Sequence, residues 1–258
     1  MININGKLIN VDHYPDGTPR INISVPDGHV NIEWLYEPNE EMILFYSVKH
    51  IRKYGINKSV NLYLPYIPNA RMDRVKDSSE VFTLKYFCEF INSLGFENVI
   101  VRDAHSNVSL ALIDRVIKED IDFKISCLID KLKPSIVCYP DEGASKRYSE
   151  NIKHPFVFGI KKRKWEDGKI IELDIIGELP QEPFDALIID DISSYGGTFL
   201  HTARKLKELG SGKIWLYITH CEDSILNGEL IGSDLLDKIY TTKSIFKGKH
   251  DLIEVIGE

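Results

Sequence analysis

Cysteine is scarce in this 258-residue chain, and Cys88, Cys127, Cys138 and Cys221 are scattered, with no CxxC pair and no zinc-type spacing. That excludes a disulfide scaffold and a metal finger. Three of the four lie in apolar runs, where a thiol acts as a small buried hydrophobe in a reducing cytoplasm. Positive charge is short as well: 32 Lys and Arg against 39 Asp and Glu give a net charge of −7. The balance argues against nucleic acid or a membrane surface as a partner. No uninterrupted apolar run could cross a bilayer, and MININGKLINVD has neither the basic nor the apolar stretch of a secretory leader. The expectation is a cytoplasmic protein. There is no low-complexity tract and no GxGxxG, so a dinucleotide fold has no support. Gly210–Lys213 (GSGK) fails as a phosphate loop, since Lys207 stands where its first glycine belongs and Ile214 where a hydroxyl belongs.

What is present is 43% hydrophobic, ample for a large core. Short β-rich runs alternate with helical patterns. In PNEEMILFYSVKHIRKYG, Leu44, Val48 and Ile51 form one apolar stripe, with Pro38 suited to the first turn and Gly55 to the end. A second helix carries Val81, Leu84, Cys88 and Ile91, and a third covers Thr198–Leu209. The runs at Val60–Leu64, Asn98–Arg102, Ser135–Tyr139, Phe156–Ile160, Ala186–Ile189 and Ile214–Ile218 read as buried strands. Such alternation predicts α/β architecture with mainly parallel sheets covered on both faces by helices. It runs twice, with a seam in the weak-signal stretch Ile121–Pro134, which predicts lobes at Met1–Lys133 and Pro134–Glu258.

Ligands of parallel sheets bind beyond the carboxyl ends of the strands, and four polar constellations fall there. In ALIIDDISSYGGT an apolar strand meets Asp190 and Asp191, then a small-residue loop, then a helix start. Gly196 and Gly197 free the backbone to turn N–H groups inward, and the helix dipole adds to an anion cradle. The two carboxylates suit sugar hydroxyls or a metal. YPDEGASKR puts Asp141 and Gly143 at another strand end, a nest for a pyrophosphate with magnesium; an ordinary capped turn is the competing reading. PYIPNARMDR brackets Asp73 with Arg71 and Arg74, suited to a triphosphate, and VIVRDAH delivers Asp103 and His105. KKRKWEDGK (Lys161–Lys169) reads as an exposed charged excursion between strands, and His201 as a structural or surface residue.

Taken in order, these motifs resemble the ribose-phosphate pyrophosphokinase (PRPP synthetase) family. PYIPNARMDR is similar to its PY-x-x-x-ARQDR, VIVRDAH to VIT-x-DLH, YPDEGASKR to SPD-x-GG-x-KR, and HYPDGT to F-x-DGE. FGIKKRK resembles its catalytic flexible loop, WLYITH its YATHG, and ALIIDDISSYGGTF the phosphoribosyl-diphosphate loop of type I phosphoribosyltransferases. The resemblance covers about His13 to Tyr240. It implies two tandem phosphoribosyltransferase-like lobes, ATP as diphosphoryl donor, Mg²⁺ and a homo-oligomer. Residue by residue, it implies ATP contacts from Arg71 and Asp73, and an adenine-pocket Asp16 lent across a dimer. His105 and Asp141 would meet magnesium or ATP phosphates, with Gly143 in the diphosphate loop. Asp190 and Asp191 would hold ribose hydroxyls, and the loop Ser194, Tyr195, Gly196, Gly197 and Thr198 the 5-phosphate. Lys161 and Arg163 would act catalytically on the transferring group.

The expected activity is diphosphoryl transfer to ribose 5-phosphate, giving PRPP and AMP. Three departures stand out: the family's DTGGT is SYGGT here, ARQDR has Met72 for Gln, and DGE has Thr18 for Glu. A ring at Tyr195 suits an acceptor whose 5-phosphate leads on to a flat group, so ADP-ribose, and with it NAD metabolism, is the alternative acceptor. The same cradle would also serve a phosphoribosyltransferase or a non-catalytic nucleotide-binding regulator.

Overall fold

A computed structural model describes residues 1–163 and 170–257, with side chains outside the description at 161–163 and 170–172. It divides into two compact units, Met1–Asp120 and Ile121–Glu258. That divide lies at the N-terminal edge of the weak-signal seam, one helix before Lys133/Pro134. The reason is packing. The helix ending at Leu132 sends Ile125 and Leu128 into a cluster with Tyr139 and Tyr148. Lys133 then takes a left-handed φ of 51° before Pro134 stops the helix.

In unit 1 the strands are β1 (Ile2–Ile4), β2 (Lys7–Leu8), β3 (Asn10–His13), β4 (Pro19–Asn22), β5 (Val30–Trp34), β6 (Val60–Leu64), β7 (Val99–Arg102) and β8 (Val116–Glu119). The helices are α1 (Glu41–Tyr54), α2 (Thr83–Ser93) and α3 (Asn107–Leu112). The main sheet has the order β2-β1-β5-β6-β7-β8. From β5 to β8 the strands are parallel, while β1 runs antiparallel to both its neighbours. Strands β3 and β4 form a separate antiparallel hairpin. Burial alternates along VNIEW and VNLYL, so Val30, Ile32, Trp34, Val60, Leu62 and Leu64 join Leu44, Val48, Ile51, Leu84 and Ile91 in one core. The opposite face of the sheet is polar, with Asn61 donating to Asn31 (3.1 Å) and Asn98 to Asn61 (3.0 Å). The expected apolar cover on both faces is therefore not found in this unit. Two smaller expectations also shift: Pro38 precedes α1 rather than entering its first turn, and Val81 is 60% exposed outside α2.

Unit 2 contains α4 (Asp122–Leu132), β9 (Ile136–Tyr139), α5 (Glu142–Tyr148), β10 (Phe156–Arg163), β11 (Ile170–Ile176), β12 (Phe184–Ser193), α6 (Gly197–Glu208), β13 (Ser211–Cys221), β14 (Lys238–Thr242) and β15 (Ile253–Ile256). Its sheet has the order β11-β10-β9-β12-β13-β14-β15 and is parallel except at β10–β11. Here both faces are apolar. On β12, Ala186 and Ile188 join the cluster that includes Phe199, Ala203 and Leu206 of α6, whereas Leu187 and Ile189 join Ile125, Tyr139 and Tyr148. Fully burying such a side chain contributes about 1.5–3 kcal/mol, so β12 is fixed in position from both sides. Both units are α/β, with mainly parallel sheets flanked by helices. No helix among the described residues is long and apolar enough to cross a membrane.

Candidate functional site

The strongest constellation lies at the carboxyl end of β12, the strand held between β9 and β13. β12 runs past the carboxylates to Ser193, beyond the predicted Ile189, so Asp190 and Asp191 are strand residues. Strand alternation alone would part them, yet the two side chains stay within hydrogen-bonding reach of each other. Asp191 is 4% exposed and turns toward α5, where its Oδ2 lies 2.9 Å from Nη1 of Arg147. Asp190 is half-buried, and its Oδ1 accepts the Asp191 backbone N–H at 2.9 Å. Burial first, then the charges of Asp191 and Asp141, push the Asp190 carboxyl well above its ordinary value.

After Ser193 the chain turns sharply. Gly196 takes a φ of 81° as the residue preceding α6, and its carbonyl accepts the Leu200 N–H at 3.0 Å. A Cβ on Gly196 would lie 2.7 Å from Leu230, and a Cβ on Gly228 would lie 1.9 Å from the Tyr195 carbonyl oxygen. The segment around Gly228 and Leu230 thus clamps the loop from behind. In front, a Cβ on Gly197 would meet nothing within 4 Å. The first-turn N–H groups of Gly197 and Thr198 cannot bond within the helix. Tyr195 is 62% exposed at the same corner. Together these make an anion cradle beside a carboxylate pair.

The YPDEGASKR turn lies on the neighbouring strand. Asp141 precedes α5, and its Oδ1 accepts the Ala144 N–H at 3.0 Å. A Cβ on Gly143 would come within 3.2 Å of that oxygen, a close approach. Lys146 pairs with Glu142 on the surface, whereas Arg147 points back to Asp191. A Cβ on Gly159 would fall 2.7 Å from the Pro140 carbonyl oxygen, so β10 packs against the base of this turn. The backbone of Lys161 and Arg163 continues β10, in register with Leu173 and Ile170 of β11. Their side chains, with the rest of the predicted charged excursion, lie outside the described residues.

The remaining candidates belong to unit 1. Asp16 sits exposed at the tip of the β3–β4 hairpin, where Oδ1 accepts from the Thr18 hydroxyl (2.7 Å) and the Thr18 N–H (2.9 Å). Those hydrogen bonds lower its pKa. Arg71 is exposed and Asp73 half-buried in the turn after β6. Between them, Met72 packs against the apolar core, which gives a structural reason for a thioether in place of an amide. His105 is half-buried beyond β7, after a fully buried Asp103 at φ 38°.

Among the described residues no group of three or more His, Cys, Asp and Glu side chains could hold a metal by itself. Mg²⁺ seldom needs such a cage, being held by one or two carboxylates together with substrate phosphates and water. Asp190 feels the charges of both Asp141 and Asp191. The hard oxygens of Asp141 and Asp190 therefore fit a divalent cation.

Sequence reading missed Arg147 as the partner of Asp191, although the residue stands inside a quoted motif. It also missed the clamp at Gly228, for which the sequence carries no signal.

No family model matches the chain. Among curated proteins, the ribose-phosphate pyrophosphokinase of Corynebacterium ammoniagenes is 26% identical over 264 residues, spanning 96% of this chain and 81% of the relative. The protein of the same name from Pyrococcus abyssi is 25% identical over 235 residues, spanning 85% and 79%. Among solved structures, phosphoribosylpyrophosphate synthetase from Mycobacterium smegmatis superimposes with a TM-score of 0.75 at 16% identity, covering 96% of this chain and 85% of that one.

Proposed function

Because this chain belongs to the ribose-phosphate pyrophosphokinase family, an enzyme family of transferases on a phosphoribosyltransferase-type fold, we propose that it transfers a diphosphoryl group from Mg-ATP to the anomeric hydroxyl of ribose 5-phosphate. The hydroxyl oxygen attacks the β-phosphorus, the bond from that phosphorus to the α,β-bridging oxygen breaks, AMP leaves, and the hydroxyl proton passes to solvent. The products are PRPP and AMP. The observation that carries the reading is the open, glycine-started N-terminus of α6, clamped from behind and adjoining Asp190 and Asp191.

The residues divide the work. The N–H groups of Gly197 and Thr198 bind the 5-phosphate, with Ser194 and Tyr195 bordering it. Asp190 and Asp191 accept hydrogen bonds from the ribose hydroxyls and orient the anomeric carbon, and Arg147 holds Asp191 still. Phosphoryl-type transfer depends on alignment and charge neutralisation more than on covalent participation by the protein. Asp141, with Asp190 adjacent, would hold Mg²⁺, which would supply neutralising charge to the phosphates when bound, and the resemblance makes His105 a magnesium or ATP-phosphate contact. Arg71 and Asp73 contact ATP. Asp16 completes the adenine pocket of a neighbouring copy, so the enzyme is a homo-oligomer. Lys161 and Arg163 meet the transferring group. The site of action is the cytoplasm, in keeping with free thiols at Cys88, Cys138 and Cys221 that burial pushes up to about 11, 12 and 12.

One observation favours a second acceptor. Tyr195, 62% exposed at the cradle's edge, offers a face for stacking, which suits ADP-ribose. The test is a competition between ribose 5-phosphate and ADP-ribose with Mg-ATP, repeated on Tyr195→Thr. Preference for ADP-ribose that shifts toward ribose 5-phosphate in the variant supports the second reading; a parent enzyme that ignores ADP-ribose refutes it. A requirement for a nucleobase would refute both.

A further inference from the structure

Unit 1 contains a buried polar network that carries no signal in the sequence. Arg102, the last residue of β7, is 1% exposed. Its Nε lies 3.0 Å from Oε2 of Glu119 and its Nη2 3.3 Å from Oε1, so the guanidinium fork grips both carboxylate oxygens. Nη2 also donates to the Tyr63 hydroxyl, which itself donates to Glu119 Oε2 at 2.6 Å. The three side chains come from β6, β7 and β8, adjacent parallel strands in which Arg102 stands opposite Glu119.

A buried ion pair is a poor source of net stability, because desolvation offsets most of the attraction. It is, however, highly directional, and a bidentate arginine fixes angle as well as distance. The chain just beyond Arg102 needs such fixing. Asp103 is 1% exposed and adopts φ 38°, a left-handed backbone state that is uncommon for a non-glycine residue, though Asp tolerates it better than most. His105 comes two residues later.

We infer that Arg102, held by Glu119 and Tyr63, is a positioning residue that fixes the exit of β7 and so sets where Asp103 and His105 are presented to the diphosphoryl donor. The inference rests on reading unit 1 as the ATP side. Lysine cannot reproduce the fork, Glu119→Gln removes the charge but keeps the shape, and Tyr63→Phe removes one hydroxyl.

The test uses the full chain with Arg102→Lys, Glu119→Gln and Tyr63→Phe, and two measurements. The first is the NMR position of the His105 ring resonances in the ligand-free protein, with His50 and His250 as internal references. The second is steady-state kinetics with each substrate varied in turn. Arg102→Lys and Glu119→Gln should move the His105 resonances and leave the references in place. They should raise KM for Mg-ATP on the order of 10-fold, as losses of supporting hydrogen bonds do at other sites, with KM for the acceptor unchanged. Tyr63→Phe should change both readouts in the same direction by a smaller factor, and it serves if the charged variants fail to fold. A folded variant with unmoved His105 resonances, or equal rises in both KM values, overturns the inference. Moved resonances in a protein whose parent does not consume ATP leave the positioning intact and overturn the functional reading.

Discussion

Replacing Arg147 with alanine should cost more than any other single change at the cradle, and the reason lies in which partner can reach water. The Asp191 side chain is 5% exposed and that of Arg147 is 22% exposed, with 2.9 Å between Nη1 and Oδ2. Removing the arginine strands a carboxylate that solvent cannot reach, whereas removing the carboxylate's charge leaves a guanidinium that solvent can partly reach. Breaking a buried pair costs about 3–5 kcal/mol. The partial exposure of Arg147 brings the expectation for Arg147→Ala to about 2–4 kcal/mol, and for Asp191→Asn to about 1 kcal/mol. Once Asp191 is neutral, deleting Arg147 should add little, so a double-mutant cycle should give a coupling of about 2 kcal/mol. Urea unfolding of the parent, both single variants and the double variant measures it. A coupling below about 0.5 kcal/mol, the level at which independent sites add, or a costlier Asp191→Asn than Arg147→Ala, would refute the reasoning.

Asp190→Asn should stabilise the ligand-free protein near neutral pH while weakening acceptor binding. The parent's Asp190 carboxyl titrates above its ordinary value of 3.8, so stability is lost as pH rises from that value through the folded one, and the variant's advantage should vanish below it; thermal melts against pH check this. Gly228→Ala places a Cβ 1.9 Å from the Tyr195 carbonyl oxygen, so it should displace the loop, cost about 1–3 kcal/mol as overpacking does, and raise KM for the acceptor with KM for Mg-ATP unchanged. Lys161→Ala and Arg163→Ala should each lower kcat by orders of magnitude with Mg-ATP affinity nearly unchanged, as expected for charges used in the transition state; equal losses in ground-state binding would remove that role.

The strands were legible because in unit 2 they are buried on both faces and read as continuous apolar runs, as in ALII and IWLYI. Strands β1 to β4 were not, since INI, KL, NVDH and PRIN are short, half polar and antiparallel. The carboxylates and glycines at the β12–α6 turn were legible as residue types, but the place of Asp190 and Asp191 within the strand was not, because the strand continues past its apolar run to Ser193. Tertiary partnerships left no local trace. Arg147 meets Asp191 only because β9 and β12 are neighbours, and Arg102 meets Glu119 only because β7 and β8 are. The stretch Ile121–Pro134 lacked a clear pattern although α4 occupies it, because Ile125 and Leu128 are the buried residues of that helix.

The most direct test of diphosphoryl transfer tracks phosphorus. The protein is incubated with Mg²⁺, ribose 5-phosphate and ATP carrying oxygen-18 on the non-bridging oxygens of the β-phosphoryl group, and the products are resolved by mass spectrometry. The account predicts unlabelled AMP and an equal amount of a ribose 5-phosphate derivative carrying the label in a diphosphate on C1. Appearance of labelled ADP, release of free labelled diphosphate, or no consumption of ATP with either ribose 5-phosphate or ADP-ribose would contradict it.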